Sequence, residues 1–310
     1  MKKIIKIIPI FQEKIWGGDR LDKVFGYHIP SQHTGECWAI SAHPGGDCPI
    51  DDAQFSGMTL SQLWNEHRDF FGDISGDIFP LLIKIIDAKE DLSIQVHPND
   101  AYAFEHENGQ LGKTECWYVL DCDDDATIII GHNAATKEEM ASMVENDQWD
   151  ILLRQVPIRK GDFFQIDPGC LHAIKGGTMI LETQQSSDLT YRFYDYGRLE
   201  NGKPRQLHIQ KSLEVTQAPF VEWQQQLQTT DIPGGTVTHL VSCPYYSVYR
   251  AEVNGKADFK WDHPFVNVSI LEGCGKLDDM KVSKGDHLLI SANYGDMSIE
   301  GNLELIYSHL

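Results

Sequence analysis

Apolar positions fall mostly in short runs. Residues 4–10, 37–41, 81–86, 93–96, 116–120, 126–130, 162–166, 178–182 and 190–194 are rich in Ile, Val, Phe and Tyr. Gly, Pro, Asn and Asp bound them, which is the signature of strands separated by turns. Helical spacing is rarer. After Thr59, Leu60, Leu63 and Trp64 share one helical face; after Thr136, Met140, Met143 and Val144 do so. Thr136 and Glu139 have the spacing of a capping box, Thr59 is a plausible cap, and residues 99–104 read as one short helix opening. Many strands and few helices predict a mainly β protein, a sandwich or barrel with helical decoration.

The pattern breaks at residues 224–234, which are Gln-rich and end in Pro233 and Gly234, with Gly235 following. By composition this is a linker. It divides the chain into a larger domain over residues 1–223 and a smaller β-domain over 235–310, the latter with strands expected at 245–253, 265–270, 287–291 and 303–307. A weak repeat connects the two. Lys160-Gly161-Asp162 precedes an apolar strand and a small turn, and so does Lys284-Gly285-Asp286. The first copy runs on to His172; the second has no His at the matching place, so two related β-domains are expected, only the first equipped for metal.

At 310 residues the chain is long enough for about two domains. A net charge of -20 excludes a general phosphate-backbone binder and disfavours an anionic membrane surface. An anionic small substrate would have to be drawn in by a few local cations. The seven cysteines include no CxxC pair, so a reducing compartment is expected and a cysteine zinc site is not. The first residues show no small-residue cleavage site and read as a strand, and no run of about 18 apolar residues exists. A cytoplasmic protein is expected.

The densest candidate chemistry runs from Ser93 to Arg198. On a strand, Ser93, Gln95 and His97 point to one side, as do Lys113, Glu115 and Trp117. His172 follows a Pro-Gly turn. One amide, two imidazoles and one carboxylate suit a divalent metal, with zinc the first choice. Any one of these histidines alone would read as an ordinary core or surface side chain; the set at strand ends favours a metal. Arg192 and Arg198 are six residues apart and face one side if their strand is continuous. With Lys113 and Ser93 they could bind a phosphate, or they are plain surface charges.

Several segments together resemble type I mannose-6-phosphate isomerases in their short form. They are Trp16-Gly-Gly18, Gly35-Glu-Cys-Trp38, Pro80-Leu-Leu-Ile-Lys84, Leu92-Ser-Ile-Gln-Val-His-Pro98, Gly112-Lys-Thr-Glu-Cys-Trp117, Pro168-Gly-Cys-Leu-His172 and Ser187-Asp-Leu-Thr-Tyr-Arg192, in the family's order over about two-thirds of the chain. The resemblance implies a cupin (double-stranded β-helix) fold. It implies one zinc held by Gln95, His97, Glu115 and His172, a catalytic Arg192, Glu182 as acid/base, and phosphate contacts at Ser93, Lys113 and Arg198. The implied reaction interconverts mannose 6-phosphate and fructose 6-phosphate through an enediol, with a sugar phosphate as the small-molecule partner. Two other functions compete: an iron-dependent cupin oxygenase, since two His and one carboxylate also form a facial triad, and a non-catalytic sugar-phosphate sensor.

Overall fold

Three large antiparallel sheets, with two small two-stranded ones, make up the architecture. The structure is a computed structural model and describes residues 2–310. A six-stranded sheet has the order Phe163–Ile166, Glu115–Cys122, Thr178–Gln185, Leu81–Ala88, Ile10–Gly18, Thr34–Ile40. Facing it is a five-stranded sheet in the order Leu153–Pro157, Thr127–His132, His172–Ile174, Ile94–Val96, Tyr191–Tyr194. Side chains alternate along a strand, so Ile86, Trp117, Val119 and Ile180 of the first meet Ile128, Ile130 and Ile174 of the second in one core. The five-stranded sheet is covered outside by helices, which supply Met140, Leu152 and Leu213 to a core with Ile94, Val96 and Phe193.

The outer face of the six-stranded sheet is buried too. Leu81, Ile83, Ile85, Tyr118 and Leu181 pack with Leu240, Val241, Phe265, Leu271 and Ile306 of the C-terminal segment. This is why Leu81–Ala88 reads as an almost unbroken apolar run: every residue in it is buried, and two apolar neighbours replace one apolar and one wet face. Lys84 and Asp87 are the exceptions in the run: Asp87 pairs with Arg20, and Lys84 points inward with Ile86.

The C-terminal segment supplies seven strands of a nine-stranded sheet built on three long strands, Ser247–Trp261, Val266–Leu277 and Gly295–His309; Ile4–Ile7 and Ile50–Asp51 complete it. Its own core includes Val253, Val268, Ile270, Ile299 and Leu305. Two sequence expectations change here. Residues 4–10 are two strands, not one. Ile4–Ile7 pairs with His287–Ile290 in the C-terminal sheet, and Pro9, which has no N–H to continue a ladder, separates it from Ile10–Gly18. The expected linker is half strand: Gln228–Ile232 is an edge strand on Gly235–Ser242. Gly234 has φ 80°, and a Cβ there would meet the Lys256 carbonyl oxygen at 1.8 Å, so only glycine fits the turn.

The weak repeat is structural. Gly161 and Gly285 have φ 92° and 88°. Asp162 Oδ2 accepts from Arg159 N at 2.9 Å, and Asp286 Oδ2 accepts from Ser283 N at 2.8 Å. Gly161 N donates to Val119 O at 2.9 Å, and Gly285 N donates to Ile270 O at 2.9 Å. Both turns lead into a strand on the same kind of partner. Of the expected helices, Leu60–Glu66 has a full capping box between Thr59 and Gln62. In Lys137–Glu145, Thr136 caps the Glu139 amide, but the Glu139 carboxylate accepts from Ala135 N instead of Thr136 N. No helix among the described residues is long and apolar enough to cross a membrane.

His287 ties the N-terminal strand to this frame. It is buried, Nε2 lies 2.9 Å from Tyr27 Oη and Nδ1 lies 2.9 Å from Ser269 Oγ. Burial pushes its pKa down to about 4, against about 6.5 in the unfolded chain. The unfolded state therefore binds the extra proton between those values, and stability present above pH 6.5 is lost as pH falls toward 4, by up to roughly 3 kcal/mol. His287→Gln should flatten that part of the stability–pH curve in urea titrations; an unchanged slope would assign it to other groups.

Candidate active site

Strand register assembles the site as two facing rows. On the five-stranded sheet, His172 pairs with Gln95 and Gln95 pairs with Arg192. Directly paired residues project to the same side about 5 Å apart, so His172, Gln95 and Arg192 form one row. On the six-stranded sheet, Trp117 pairs with Glu182, Glu182 with Lys84, and Lys84 with Trp38. Glu115 lies two residues before Trp117 and joins that face. A cavity of about 290 Å³ opens between the rows, lined by Ser93, Gln95, Lys113, Glu182 and Arg192 among others.

His97, Glu115 and His172 converge behind two lining residues: Gln95 contacts His172 and Lys113 contacts Glu115. One ligand atom from each lies within 4.8 Å of the others, and all three residues are buried. His172 Nε2 is 3.3 Å from Glu115 Oε1, and His97 Nε2 is 3.5 Å from Glu115 Oε2. His97 Nδ1 donates to the Leu189 carbonyl at 2.8 Å and His172 Nδ1 to the Cys170 carbonyl at 2.9 Å. A carbonyl only accepts, so both protons sit on Nδ1 and both Nε2 lone pairs aim inward, the arrangement of metal-ligating imidazoles. Burial pushes His172 down to about 3 and, with Lys113, lowers His97. The Gln95 amide is 3.3 Å from His172 Nε2. His97 Nε2 and Glu115 Oε1 have no hydrogen-bond partner. Buried polar atoms normally have one, and a divalent cation bound by oxygen and nitrogen donors would satisfy them. Glu182 stands beside this group and was reached by its place in the family pattern.

The rest of the inner wall is a charge network. Lys113 Nζ lies 2.6 Å from Glu115 Oε2 and 3.8 Å from Glu182 Oε1. Lys84 Nζ lies 3.7 Å from Glu182 Oε2 and 3.4 Å from Asp188 Oδ1, and Lys14 is 3.3 Å from Glu36. Burial opposes ionisation of Glu115, yet the Lys113 ammonium and His97 hold its carboxyl well below the usual range. Glu36 is likewise lowered against burial by Lys84 and Lys14. Glu182 goes the other way: burial and the nearby Glu115 push it up to about 8, while Trp117 Nε1 donates to it at 3.3 Å. Lys84 also lies over the Trp38 ring, 4.9 Å from its centroid. No role was read for Lys84 or Lys14 in the sequence. Lys84 had a signal, as a lone cation inside an apolar strand.

Arg198 is placed differently from expectation. Its strand ends at Tyr194, and Tyr196 and Gly197 follow at φ 56° and 67°. The six-residue spacing from Arg192 is thus not carried on one continuous strand, and Arg198 does not line the cavity. Its guanidinium donates to Asp195 and to the Asp91 carbonyl. The chain instead returns through a short hairpin, Leu199–Glu200 with Lys203–Pro204, and brings Arg205 and His208 to the cavity. Neither was singled out in the sequence. A second cavity, of about 360 Å³, lies behind residues 168–170 among Phe164, Phe220 and Trp223 and holds no comparable donor set.

A family model for the type I phosphomannose isomerase catalytic domain matches residues 4–120, and one for the mannose-6-phosphate isomerase cupin domain matches residues 236–310. Mannose-6-phosphate isomerase ManA of Bacillus subtilis is 49% identical over 97% of both chains. Mannose-6-phosphate isomerase of Streptococcus mutans is 46% identical over 96% of this chain and 95% of its own. The crystal structure of the mannose 6-phosphate isomerase from Bacillus subtilis superposes with a TM-score of 0.97 at 47% identity, covering 100% of both chains. A phosphomannose isomerase variant from Salmonella typhimurium shares the fold, with a TM-score of 0.81 at 15% identity over 99% of both chains.

The network makes Lys84 expensive to remove. Its side chain is 3% exposed, and its loss removes a cation from beside Glu182, Asp188 and Glu36, leaving the buried Glu182 only Lys113 at 3.8 Å. Lys84→Met should lower unfolding stability by about 3 kcal/mol or more, read by chemical denaturation, and Lys84→Arg should lose less. A change below about 1 kcal/mol in Lys84→Met would contradict this electrostatic account.

Proposed function

This chain belongs to the type I mannose-6-phosphate isomerase family and is an aldose–ketose isomerase; from that premise we propose that it is zinc-dependent and interconverts mannose 6-phosphate and fructose 6-phosphate through an enediol. The observation that carries the reading is the buried convergence of His97, Glu115 and His172, with inward lone pairs fixed by backbone carbonyls. Gln95 completes the set once its amide oxygen is turned toward His172. Two imidazoles, one carboxylate and one amide oxygen fit zinc. Bound there, zinc supplies Lewis-acid polarisation of the sugar carbonyl and its neighbouring hydroxyl.

The chain's own residues do the remaining work. Glu182, on the opposite sheet from Arg192, takes the proton from C2 of the open-chain aldose and returns it to C1. The electron pair left at C2 moves into the C1–C2 double bond as O1 gains a proton to give the enediol; when C1 is reprotonated O2 gives up its hydroxyl proton, so one proton passes from C2 to C1, one from O2 to O1, and the carbonyl moves from C1 to C2 with no net loss of hydrogen. Trp117 and Lys113 orient the Glu182 carboxyl. Arg192 stays protonated and stabilises the negative oxygen that develops on the sugar. Ser93 and Lys113, phosphate contacts by the family resemblance, both line the cavity, and Lys113 lies against Glu115, where it holds polar groups of the substrate close to the reacting carbons. The phosphate is a non-reacting anchor whose binding orients those carbons.

A coupled assay should show mannose 6-phosphate turnover that a chelator abolishes and added zinc restores, and His97→Ala should lose both metal and activity. Full activity in metal-free enzyme would refute the zinc assignment. In Arg192→Ala, kcat should fall roughly 10²–10³-fold, because the developing charge is absent from the ground state. Arg192→Lys should recover only part, since an ammonium lacks the planar fork. A rise in KM with kcat retained would instead make Arg192 a ground-state ligand.

A further inference from the structure

We propose that Arg205 and His208 receive the phosphate group of the substrate; the assignment rests on the isomerase reading above. The argument begins with charge. At the inner end of the cavity Lys14, Lys84 and Lys113 are each in ion-pair contact with Glu36, Glu115, Glu182 or Asp188, so cations there are already matched by acids. At the outer end stand Arg192, Arg198 and Arg205. Among the described residues, the one carboxylate in ion-pair contact with these guanidiniums is Asp195. Its Oδ1 accepts from both Arg198 and Arg205, and its Oδ2 accepts from Arg205 Nε at 2.8 Å. The exposed Glu200 lies farther off. Positive charge is therefore in excess at the outer end, and Arg192 Nε is buried with no partner. On a chain of net charge -20, this is where a dianion gains most.

Geometry gives the same place. Asp195 is buried and holds Arg205 through Nε and Nη2, which fixes a guanidinium that lines the cavity. Asp195 acts as a positioning residue. His208 is fixed by backbone. The Arg192 amide donates to His208 Nδ1 at 3.1 Å, and His208 N donates to the Arg192 carbonyl at 2.7 Å. A peptide N–H only donates, so Nδ1 carries the lone pair and the neutral ring carries its proton on Nε2. His208 also lines the cavity, and its Nε2–H is a donor with no other assigned partner. These two bonds place His208 beside Arg192 on the free edge of the sheet, and both residues line the cavity. His208 thus lies on the far side of Arg192 from Gln95, where the phosphate of an extended six-carbon chain would reach. A planar guanidinium and a fixed imidazole N–H are the donors that charge-assisted phosphate binding uses.

The test compares metal-replete wild type with Arg205→Met and His208→Phe in the mannose 6-phosphate assay, with inorganic phosphate as competitive inhibitor. Each variant should raise KM and the inhibition constant for phosphate together, by roughly 10- to 100-fold for Arg205→Met and less for His208→Phe, with kcat within a few-fold and metal content unchanged. Arg205→Lys should fall between wild type and Arg205→Met, and it decides the matter if Arg205→Met fails to fold. Folded variants with unchanged KM and phosphate inhibition would overturn the proposal. If wild type does not turn over mannose 6-phosphate, the isomerase reading fails by itself. Calorimetric titration of inorganic phosphate into wild type and Arg205→Lys then decides the anion site alone: weaker binding in Arg205→Lys supports it and equal binding overturns it.

Discussion

A fully buried carboxylate at Glu115 is the constraint around which the catalytic half is arranged. Removing a carboxylate from water is costly unless cations and donors replace the solvent. Here Lys113 lies 2.6 Å away and two imidazoles lie within 3.5 Å. The same Lys113 reaches Glu182, which Lys84 reaches from the other side, so the acids and lysines of the inner wall cannot be altered one at a time. The two ammoniums keep Glu36 and Glu115 ionised, while Glu182 is left the most easily protonated acid of the group. A group of that kind, beside a bound sugar and near a metal, can both accept and return a proton.

The C-terminal sheet makes this burial feasible. It covers the outer face of the six-stranded sheet with Leu240, Phe265, Leu271 and Ile306, so the strands that carry Lys84, Glu115 and Glu182 are held from behind by apolar packing while their inner faces carry charge. Its relation to the first sandwich is visible in the paired Lys-Gly-Asp turns, which share their glycine φ, their Asp-to-backbone bond and their contact with a neighbouring strand. One copy leads on to His172 and the other serves as a scaffold.

Much of this was legible because it depends on local periodicity. Alternation put Gln95 with His97 and Glu115 with Trp117, and register then brought both pairs to one cavity. What was not legible depends on where strands end. Arg192 and Arg198 look equivalent on an unbroken strand, but the positive φ at Tyr196 and Gly197 ends it, and Arg205 arrives from a hairpin whose exposed Leu199, Glu200, Lys203 and Pro204 carry no apolar pattern. Gln228–Ile232 was hidden for a related reason: an edge strand with mostly exposed residues can be polar throughout and looks like a linker by composition. The helix Ile209–Val215 spans only seven residues, too few for a 3.6-residue period to stand out.

The central claim is that His97, Glu115 and His172, with Gln95, hold one zinc ion. Anomalous diffraction from crystals of the purified protein, collected on both sides of the zinc absorption edge, tests this most directly. The account predicts a single strong difference peak enclosed by these four side chains, with the Gln95 amide oxygen toward the ion. An empty map at that position in fully active crystals, or a zinc peak held by other residues, would contradict it.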